Sequence, residues 1–208
     1  MKNFICDQIL KNKFSMVSKE RLINLYEQCE KFKNTNYSFV ECGVAKGGCL
    51  ALMKYVARDN KLYGFDSFEG MPDVSSKDLG GSLNPKIYVG TNLSEGINNV
   101  HNTFKELQID MKNVTLIKGF FRDTLNIQTN IDTIGPIGIL RLDSDWYEST
   151  MLCLEKLYDK VVNGGVIIID DYGHWVGAKR ATDEFRMKHN ILEPLIKTDY
   201  TEYYWIKK

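Results

Sequence analysis

The chain has 208 residues, a length that suits one domain with a sizeable hydrophobic core. Lysine plus arginine and aspartate plus glutamate each number 27, so no net charge attracts a polyanion, which argues against nucleic acid as the main partner. The five cysteines include no CxxC pair, which disfavours disulfides and zinc and favours reduced thiols in the cytoplasm. We find no signal peptide and no apolar run of the roughly 18 residues that a membrane span needs, so we expect a cytoplasmic protein without a membrane partner.

The predicted elements alternate between helices and strands. Residues 19–33 predict an amphipathic helix with Ser18 as its N-cap, and we place residues 1–35 in a helical extension packed on a single domain of residues 36–208. Strands are predicted at YSFVECGV, KLYGFD, VTLIKG, IGILRLD and GVIIID, and an antiparallel pair at LEPLIKT and TEYYWIKK. Helices are predicted between the strands at CLALMKYVARD, at residues 93–107 with Leu93 in the apolar stripe, at TMLCLEKLYDKVV and at GAKRATDEFRMKH. This alternation predicts an α/β fold with a mostly parallel sheet that is covered on both faces.

Residues 69–90 form a long polar stretch that holds two of the four prolines. Structureless segments of this length are uncommon in compact domains and are often lids or binding loops. We therefore predict a lid over the cofactor and acceptor, with a surface insertion as the alternative.

The segment ECGVAKGG follows the first strand and opens a helix, where glycines let the backbone approach a ligand. Its spacing, Gly43-x-x-x-Gly47, is not the GxGxxG of dinucleotide-binding proteins, and a tight turn without a ligand is the alternative. Asp66 lies 23 residues after Gly43, at the end of the second strand, where a carboxylate can accept hydrogen bonds from both ribose hydroxyls. The turn and Asp66 together favour an adenosyl cofactor. Glu41 is placed to meet the amino-acid end of that cofactor or to cap backbone amides, and Phe120 to lie against its adenine or in the core.

Four carboxylates follow two apolar strands, Asp143 and Asp145 in LRLDSDWYEST and Asp170 and Asp171 in VIIIDDYGHW. In parallel α/β sheets, ligands bind at the carboxyl ends of the strands, near the switch in strand order. Either pair alone is typical of a turn or a solvated loop, but their joint position favours a functional site. Alternation along the extended segment puts Asp143 and Asp145 on the same side.

Several other polar and aromatic residues flank these carboxylates. His174 is predicted to be an auxiliary base or an acceptor contact, with a surface histidine as the alternative. Trp146, Tyr147 and Trp175 predict a stacking face for a sugar ring, with core packing as the alternative. Arg141, inside an apolar strand, is expected to pair with one of the carboxylates and support the site.

Five blocks in order, between about Phe39 and Phe185, resemble the macrocin O-methyltransferase-like family: VECGVAKGG, GFDSFEGMP, KGFFRDTL, LRLDSDWYEST and GGVIIIDDYGHW. The resemblance implies methyl transfer that depends on S-adenosylmethionine and Mg²⁺, to sugar hydroxyls of macrolide and aminocoumarin antibiotics and related glycans. It also implies a Rossmann-like class I methyltransferase fold, with a mostly parallel seven-stranded sheet and an antiparallel C-terminal strand. By the family pattern, Asp143, Asp170 and Asp171 are the metal ligands and Asp145 is the general base. The predicted cofactor-binding set is Glu41, Gly43, Gly47, Asp66, Ser67, Gly119, Phe120 and Asp143.

The chemistry of this reaction explains the residue types. A sugar hydroxyl is hardly ionised at neutral pH, and a divalent cation holding two neighbouring hydroxyls favours its attack on the sulfonium. Magnesium prefers oxygen ligands, a preference that three aspartates satisfy. We therefore expect a small-molecule or glycan acceptor with neighbouring hydroxyls. A homodimer is a separate expectation, which this chemistry does not require. The brief N-terminal region leaves the acceptor open.

Three other functions compete with this hypothesis. A catechol-type O-methyltransferase would use a metal ion in the same way to hold and activate an aromatic diol. An NAD-dependent oxidoreductase is opposed by the missing GxGxxG, and a non-catalytic cofactor-binding module by the complete set of four aspartates.

Overall fold

The computed structural model of the chain describes residues 1–88 and 96–208, and its elements follow the alternation that the sequence predicts. In chain order they are α1 (Lys2–Lys11), α2 (Lys19–Phe32), β1 (Ser38–Cys42), α3 (Gly48–Val56), β2 (Leu62–Asp66), α4 (Ile97–Glu106), β3 (Val114–Lys118), α5 (Phe121–Thr124), α6 (Gln128–Asp132), β4 (Ile137–Leu142), α7 (Tyr147–Leu157), β5 (Val161–Ile169), α8 (Val176–Lys188), β6 (Ile196–Lys197) and β7 (Tyr203–Ile206). Short 3₁₀ turns cover Ser76–Asp78, Pro85–Tyr88 and Tyr158–Lys160.

The strands form one seven-stranded sheet in the order β3-β2-β1-β4-β5-β7-β6. The first five are parallel, whereas β7 runs antiparallel to both β5 and β6. This confirms the predicted fold class, including the antiparallel pair at the C-terminal end. The strand order reverses between β1 and β4, where Cys42 is paired with Leu142. Ile169 is level with Leu142 on the other side, so the residues that follow β1, β4 and β5 meet at one edge.

Both faces of the sheet are covered, as the apolar strands predict. Alternate residues of β4 enter different cores: Ile139 packs with residues of α1 to α4, and Leu140 packs with residues of α7 and α8. Every residue of β4 is buried. Helices α1 and α2 contribute Ile9 and Leu22 to the first of these cores, and the boundary at residue 35 stays a prediction.

Two helices differ from their predicted bounds. The helix predicted through TMLCLEKLYDKVV ends at Leu157, and Val161 instead begins β5 by pairing with Ile137. Residues 164 and 165 are glycines, and Gly164 has a φ of 83°, so β5 continues through an irregular segment that a window of hydrophobic periodicity does not detect. The helix predicted over residues 93–107 is observed as α4, and Leu93 lies outside the described residues.

The N-cap of α2 is confirmed, because the hydroxyl of Ser18 accepts a hydrogen bond from the backbone N–H of Arg21 at 3.2 Å. Within residues 1–88 and 96–208, no helix combines the length and the apolar character that crossing a membrane requires.

Candidate active site

A cavity of about 850 Å³ opens at the carboxyl ends of the parallel strands. Its walls come from the loop between α1 and α2, the turn after β1, the ends of β2, β4 and β5, and the turn between β6 and β7. This volume lies in the range of small-molecule and cofactor sites. It lies at the switch in strand order, where the sequence predicts the ligand.

The glycine turn after β1 is held tightly against the end of β4. Gly43 has a φ of 91°, and a Cβ on it would lie 1.8 Å from the carbonyl oxygen of Asp143, so only glycine fits there. The carboxylate of Asp66 accepts hydrogen bonds from the backbone N–H groups of Val44 and Ala45 at 2.8 and 2.9 Å. Asp66 therefore fixes the turn and also lines the cavity.

The remaining predicted cofactor residues divide into two groups. Ser67 and Phe120 line the cavity, and the hydroxyl of Ser67 donates to the carbonyl of Gly70 at 2.8 Å. Gly47 and Gly119 do not contribute to the lining but have positive φ values of 85° and 139°, which shape the turns behind it. The assignment of all four to the cofactor stays a prediction.

Three carboxylates converge in the cavity wall. Asp143, Asp145 and Asp171 each offer one oxygen, and these oxygens all lie within 4.8 Å of one another. Asp145 has a φ of 55°, an unusual conformation for a residue other than glycine, and its backbone N–H donates to Asp171 at 3.3 Å. The predicted ligand set contains two of these residues, Asp143 and Asp171.

Asp170, the third predicted ligand, has a different environment. It is buried, and its two oxygens accept hydrogen bonds from Arg141 Nη2 and Arg21 Nη1, each at 2.5 Å. Burial and the charge of Asp143 raise the pKa of Asp170 to about 6, although both arginines act in the opposite direction. Both of its oxygens are thus engaged by guanidinium groups, and its role as a ligand stays a prediction.

Arg141 is the buried cation of the site, and its predicted pairing with the carboxylates is confirmed. Besides Asp170, it bonds Glu41 Oε1 at 2.9 Å and Asp143 Oδ2 at 3.0 Å. Glu41 is fully buried, and its Oε2 atom has no hydrogen-bond partner in the described part of the chain. Burial raises the pKa of Glu41 to about 8, with Arg141 partly opposing this shift. A buried acceptor without a partner in a cavity wall indicates a place for a ligand donor.

Burial and mutual repulsion raise the pKa values of two carboxylates in the acidic cluster. Burial and the charge of Asp143 raise the pKa of Asp145 to about 8. Burial, followed by the charges of Asp145 and Asp143, raises the pKa of Asp171. Closely spaced carboxylate oxygens of this kind are the donors that a hard divalent cation prefers, so the residues present fit Mg²⁺.

An aromatic wall adjoins the carboxylates. The indole Nε1 of Trp175 donates to Asp145 Oδ1 at 2.8 Å, and the ring of Trp146 lies edge-on to Trp175 with centroids 5.0 Å apart. Nδ1 of His174 lies 2.7 Å from the hydroxyl of Tyr200, and burial lowers the pKa of His174. All four of these aromatic residues line the cavity.

Tyr147, predicted to belong to the same stacking face, lies elsewhere. Its hydroxyl donates to Glu184 at 2.5 Å and accepts from Lys77 at 2.6 Å, and it does not line the cavity. The α-helical turn that starts at Tyr147 directs its side chain away from that of Trp146.

Sequence reasoning missed Arg21 and Tyr200, which both line the cavity. Arg21 lies on an amphipathic helix, where an arginine indicates a solvated face, and Tyr200 lies in a short polar turn. Only the packing of α2 and the β6–β7 turn at the sheet edge brings them to Asp170 and His174. No sequence pattern available for a single chain marks either residue.

Comparison with known proteins places this site in a family. Residues 7–207 match the family described as Macrocin-O-methyltransferase (TylF). The chain is similar to demethyldecarbamoylnovobiocin O-methyltransferase of Streptomyces niveus, with 34% identity over 202 residues that cover 93% of this chain and 76% of the relative. A Streptomyces olivaceus enzyme, 8-demethyl-8-(2,3-dimethoxy-alpha-L-rhamnosyl)-tetracenomycin-C 4'-O-methyltransferase, is 30% identical over 92% of this chain and 74% of its own length.

The solved structure of the O-methyltransferase NovP matches the fold with a TM-score of 0.82 and 32% identity, covering 93% of this chain and 82% of that one. The similarity extends along nearly the whole chain, and the cavity lies at the switch in strand order, where α/β folds of this kind bind ligands. The chain belongs to the macrocin-O-methyltransferase (TylF) family and is an O-methyltransferase that uses S-adenosylmethionine.

Proposed function

We propose that this enzyme methylates a hydroxyl on a sugar or a glycosylated metabolite, with assistance from a divalent cation. The observation that carries the proposal is the convergence of Asp143, Asp145 and Asp171 in the wall of the cavity that Gly43 and Asp66 also line. A methyl donor and an activated hydroxyl must meet within a few ångströms, and this arrangement provides neighbouring sites for the two in one cavity.

The donor half of the cavity is proposed to lie against the glycine turn. Glu41 supports this placement because its buried Oε2 lacks a partner among the described residues, and the ammonium group of the methionine end of the cofactor would supply one. Asp66 uses both oxygens on backbone amides, yet a carboxylate has further lone pairs that ribose hydroxyls can use. Phe120 is proposed to pack against the adenine.

The acceptor half is proposed to lie over the carboxylates. Asp143 and Asp171 would hold Mg²⁺, which when bound lowers the pKa of a coordinated hydroxyl and orients it. Asp145 is the proposed general base, since its carboxylate lies beside both proposed ligands and accepts a hydrogen bond from Trp175 that favours its ionised form. His174 is a proposed auxiliary base or acceptor contact, because it lines the cavity and its lowered pKa keeps it neutral at pH 7.

The sugar specificity rests on the relatives and on the aromatic wall. The Streptomyces olivaceus relative is named for methylation of a rhamnosyl derivative. In this chain, Trp175 and Tyr200 present ring surface to the cavity, and sugar rings pack on such surfaces. We propose an acceptor with two neighbouring hydroxyls on the sugar.

We also propose a cytoplasmic enzyme that acts as a homodimer and has no nucleic-acid partner. All five cysteines are buried free thiols, as a reducing compartment allows, and the net charge is zero. Light scattering at several protein concentrations tests the dimer.

The proposed function is tested by methyl transfer from labelled S-adenosylmethionine to a panel of rhamnosides, nucleotide sugars and catechols, with product detection by mass spectrometry. We expect transfer to a sugar that requires Mg²⁺ and is lost on chelation. Preference for a catechol, or full activity without a divalent cation, would contradict the proposal.

Four variants separate the proposed roles of the aspartates, each measured for turnover and for Mn²⁺ affinity. We expect Asp143→Asn and Asp171→Asn to lose turnover and Mn²⁺ affinity and still to bind S-adenosylhomocysteine. Asp145→Asn should lose turnover by roughly 10²–10⁴-fold and keep most of its affinity for the cation. Asp170→Asn decides whether Asp170 is also a ligand, as the sequence predicts, and an unchanged Mn²⁺ affinity would remove it from the ligand set.

A further inference from the structure

The segment 69–88 is anchored to the beginning of α7 by one buried carboxylate. Asp78 is 4% exposed, and its Oδ2 accepts hydrogen bonds from the backbone N–H and the hydroxyl of Ser75 at 2.8 and 2.7 Å. Its other oxygen, Oδ1, accepts from the backbone N–H of Tyr147 at 2.6 Å. A single side chain therefore ties a 3₁₀ turn of the segment to a helix that is distant in sequence.

This contact satisfies the N-terminus of α7. Trp146 is the N-cap of that helix, but its side chain makes no capping hydrogen bond. The first N–H groups of a helix lack partners within the helix and carry a partial positive charge, which a carboxylate stabilises. Asp78 thus provides from another segment the cap that the helix does not provide for itself.

A third element closes around the same carboxylate. A Cβ on Gly177, in the first turn of α8, would lie 1.8 Å from Asp78 Oδ1 and 2.8 Å from the Tyr147 nitrogen, so α8 approaches only because this residue is glycine. Arg180, one turn further along α8, donates to the carbonyl of Lys77 at 2.9 Å. The segment is therefore held by both α7 and α8.

The anchor lies next to the proposed base. Asp145, with its φ of 55°, is two residues before the start of α7. The indole of Trp146 donates to the carbonyl of Pro72 at 3.1 Å, so the same segment holds the residue that follows Asp145. Trp175, which bonds Asp145, packs against Trp146 and Tyr88 at centroid distances of 5.0 and 5.4 Å.

We propose that Asp78 is a positioning residue that latches the segment 69–88 onto the start of α7 and thereby fixes the turn that carries Asp145. The inference rests on the proposed function of Asp145. The hydrogen bond from the Tyr147 N–H to Asp78 would then hold the predicted lid in place, and the segment would cover the site only while Asp78 caps α7. The predicted lid also includes residues 89 and 90, which lie outside the described residues.

The test compares Asp78→Ala and Asp78→Asn with the matched control Asp59→Asn, an exposed aspartate after α3. Three readouts are measured: tryptic cleavage after Lys77, the near-ultraviolet circular dichroism of the Trp146–Trp175 pair, and kcat and KM for S-adenosylmethionine. In Asp78→Ala we expect cleavage to accelerate roughly 5- to 30-fold, as removal of a helix cap predicts, with a smaller effect in Asp78→Asn. The tryptophan signal should change, and kcat should fall about tenfold while KM stays within about twofold.

The cleavage rate and the tryptophan dichroism test whether Asp78 holds the segment, and neither measurement needs a methyl acceptor. The inference would be overturned if Asp78→Ala kept the wild-type cleavage rate and the wild-type dichroism. It would also be overturned if cleavage accelerated in Asp78→Ala while kcat stayed at the wild-type value. If Asp78→Ala does not fold, Asp78→Asn carries the same test. Absence of methyl transfer by the wild-type enzyme would instead count against the proposed function and leave the first two readouts unaffected.

Discussion

The indole nitrogen of Trp175 lies 2.8 Å from Oδ1 of Asp145 and donates a hydrogen bond to it. A residue at the start of α8 thereby holds the carboxylate that follows β4. This hydrogen bond favours the ionised form of Asp145 and opposes the effects of burial and of Asp143 on its pKa.

Replacement of Trp175 by Phe should shift the pH dependence of turnover. Loss of the hydrogen bond removes an interaction that lowers the pKa of Asp145, so the base is ionised less readily at a given pH. We expect kcat to fall several-fold at pH 7 and to recover partly by pH 9. Trp205→Phe, at a tryptophan that does not line the cavity, serves as the control. An equal loss of kcat at every pH would contradict this role.

Cation binding should release protons and strengthen with pH. With a pKa of about 8, Asp145 retains a proton at pH 7 in the protein without a cation, and a cation bound beside it must displace that proton; burial and the neighbouring carboxylates raise the pKa of Asp171 as well. Mn²⁺ affinity, measured by calorimetry in buffers of different ionisation enthalpy, should rise by up to about tenfold per pH unit between pH 6 and 8 for each proton displaced. Affinity independent of pH would show that the carboxylates are already ionised.

Gly43→Ala should remove both ligand sites at once. The new methyl group would meet the carbonyl oxygen of Asp143 at 1.8 Å, so the ends of β1 and β4 must separate. Gly164→Ala is the matched control, because Gly164 also has a positive φ but no atom within 4 Å of its Cβ position. We expect the control to lose about 1 kcal/mol of stability and to bind S-adenosylhomocysteine and Mn²⁺ normally. Normal binding in Gly43→Ala would refute the close contact.

Arg21 should contribute stability through Asp170. Its guanidinium forms ion pairs with Asp170 at 2.5 Å and with Asp199 at 3.1 Å, and Arg21→Leu leaves the buried Asp170 with Arg141 alone. We expect a loss of roughly 2–4 kcal/mol in urea unfolding at pH 7. Asp170→Asn in the same chain should restore part of it, which a double-mutant cycle measures. Strictly additive losses would mean that the two side chains do not interact.

Glu202 should make the protein more stable in mild acid than at neutral pH. Burial raises its pKa from 4.5 to about 7, so between these values the folded protein holds a proton that the unfolded chain releases. The stability that this bound proton contributes to the folded state is complete below pH 4.5 and is lost as the pH rises through about 7. Glu202→Gln should reduce the pH dependence of the unfolding free energy by about 3 kcal/mol, whereas exposed Glu106→Gln should not change it. Identical pH profiles for wild type and Glu202→Gln would disprove the shift.

Much of the fold follows from the sequence because its elements depend on local patterns. The apolar runs of β4 and β5 and the Ser18 cap are local, and the structure confirms them. Gly43 is identifiable as well, because a glycine directly after a strand indicates a turn where the backbone approaches a neighbour closely, and its φ of 91° fits that turn.

The grouping of the carboxylates was harder to predict. Asp143 and Asp145 lie together as predicted, although Asp145 has a φ of 55° and does not continue the extended segment, and only the packing of α2 places Arg21 on Asp170. The contact of Asp78 with α7 could not be predicted either, because its partner there is a backbone amide 69 residues away.

We propose that Asp143 and Asp171 hold a divalent cation beside the methyl donor, with Asp145 next to it as the base. Crystals grown with S-adenosylhomocysteine and Mn²⁺ test it through the anomalous scattering of manganese. We predict a peak among these three carboxylates, with the cofactor against the glycine turn. A map with the cofactor fully occupied and no manganese at the cluster would contradict the account.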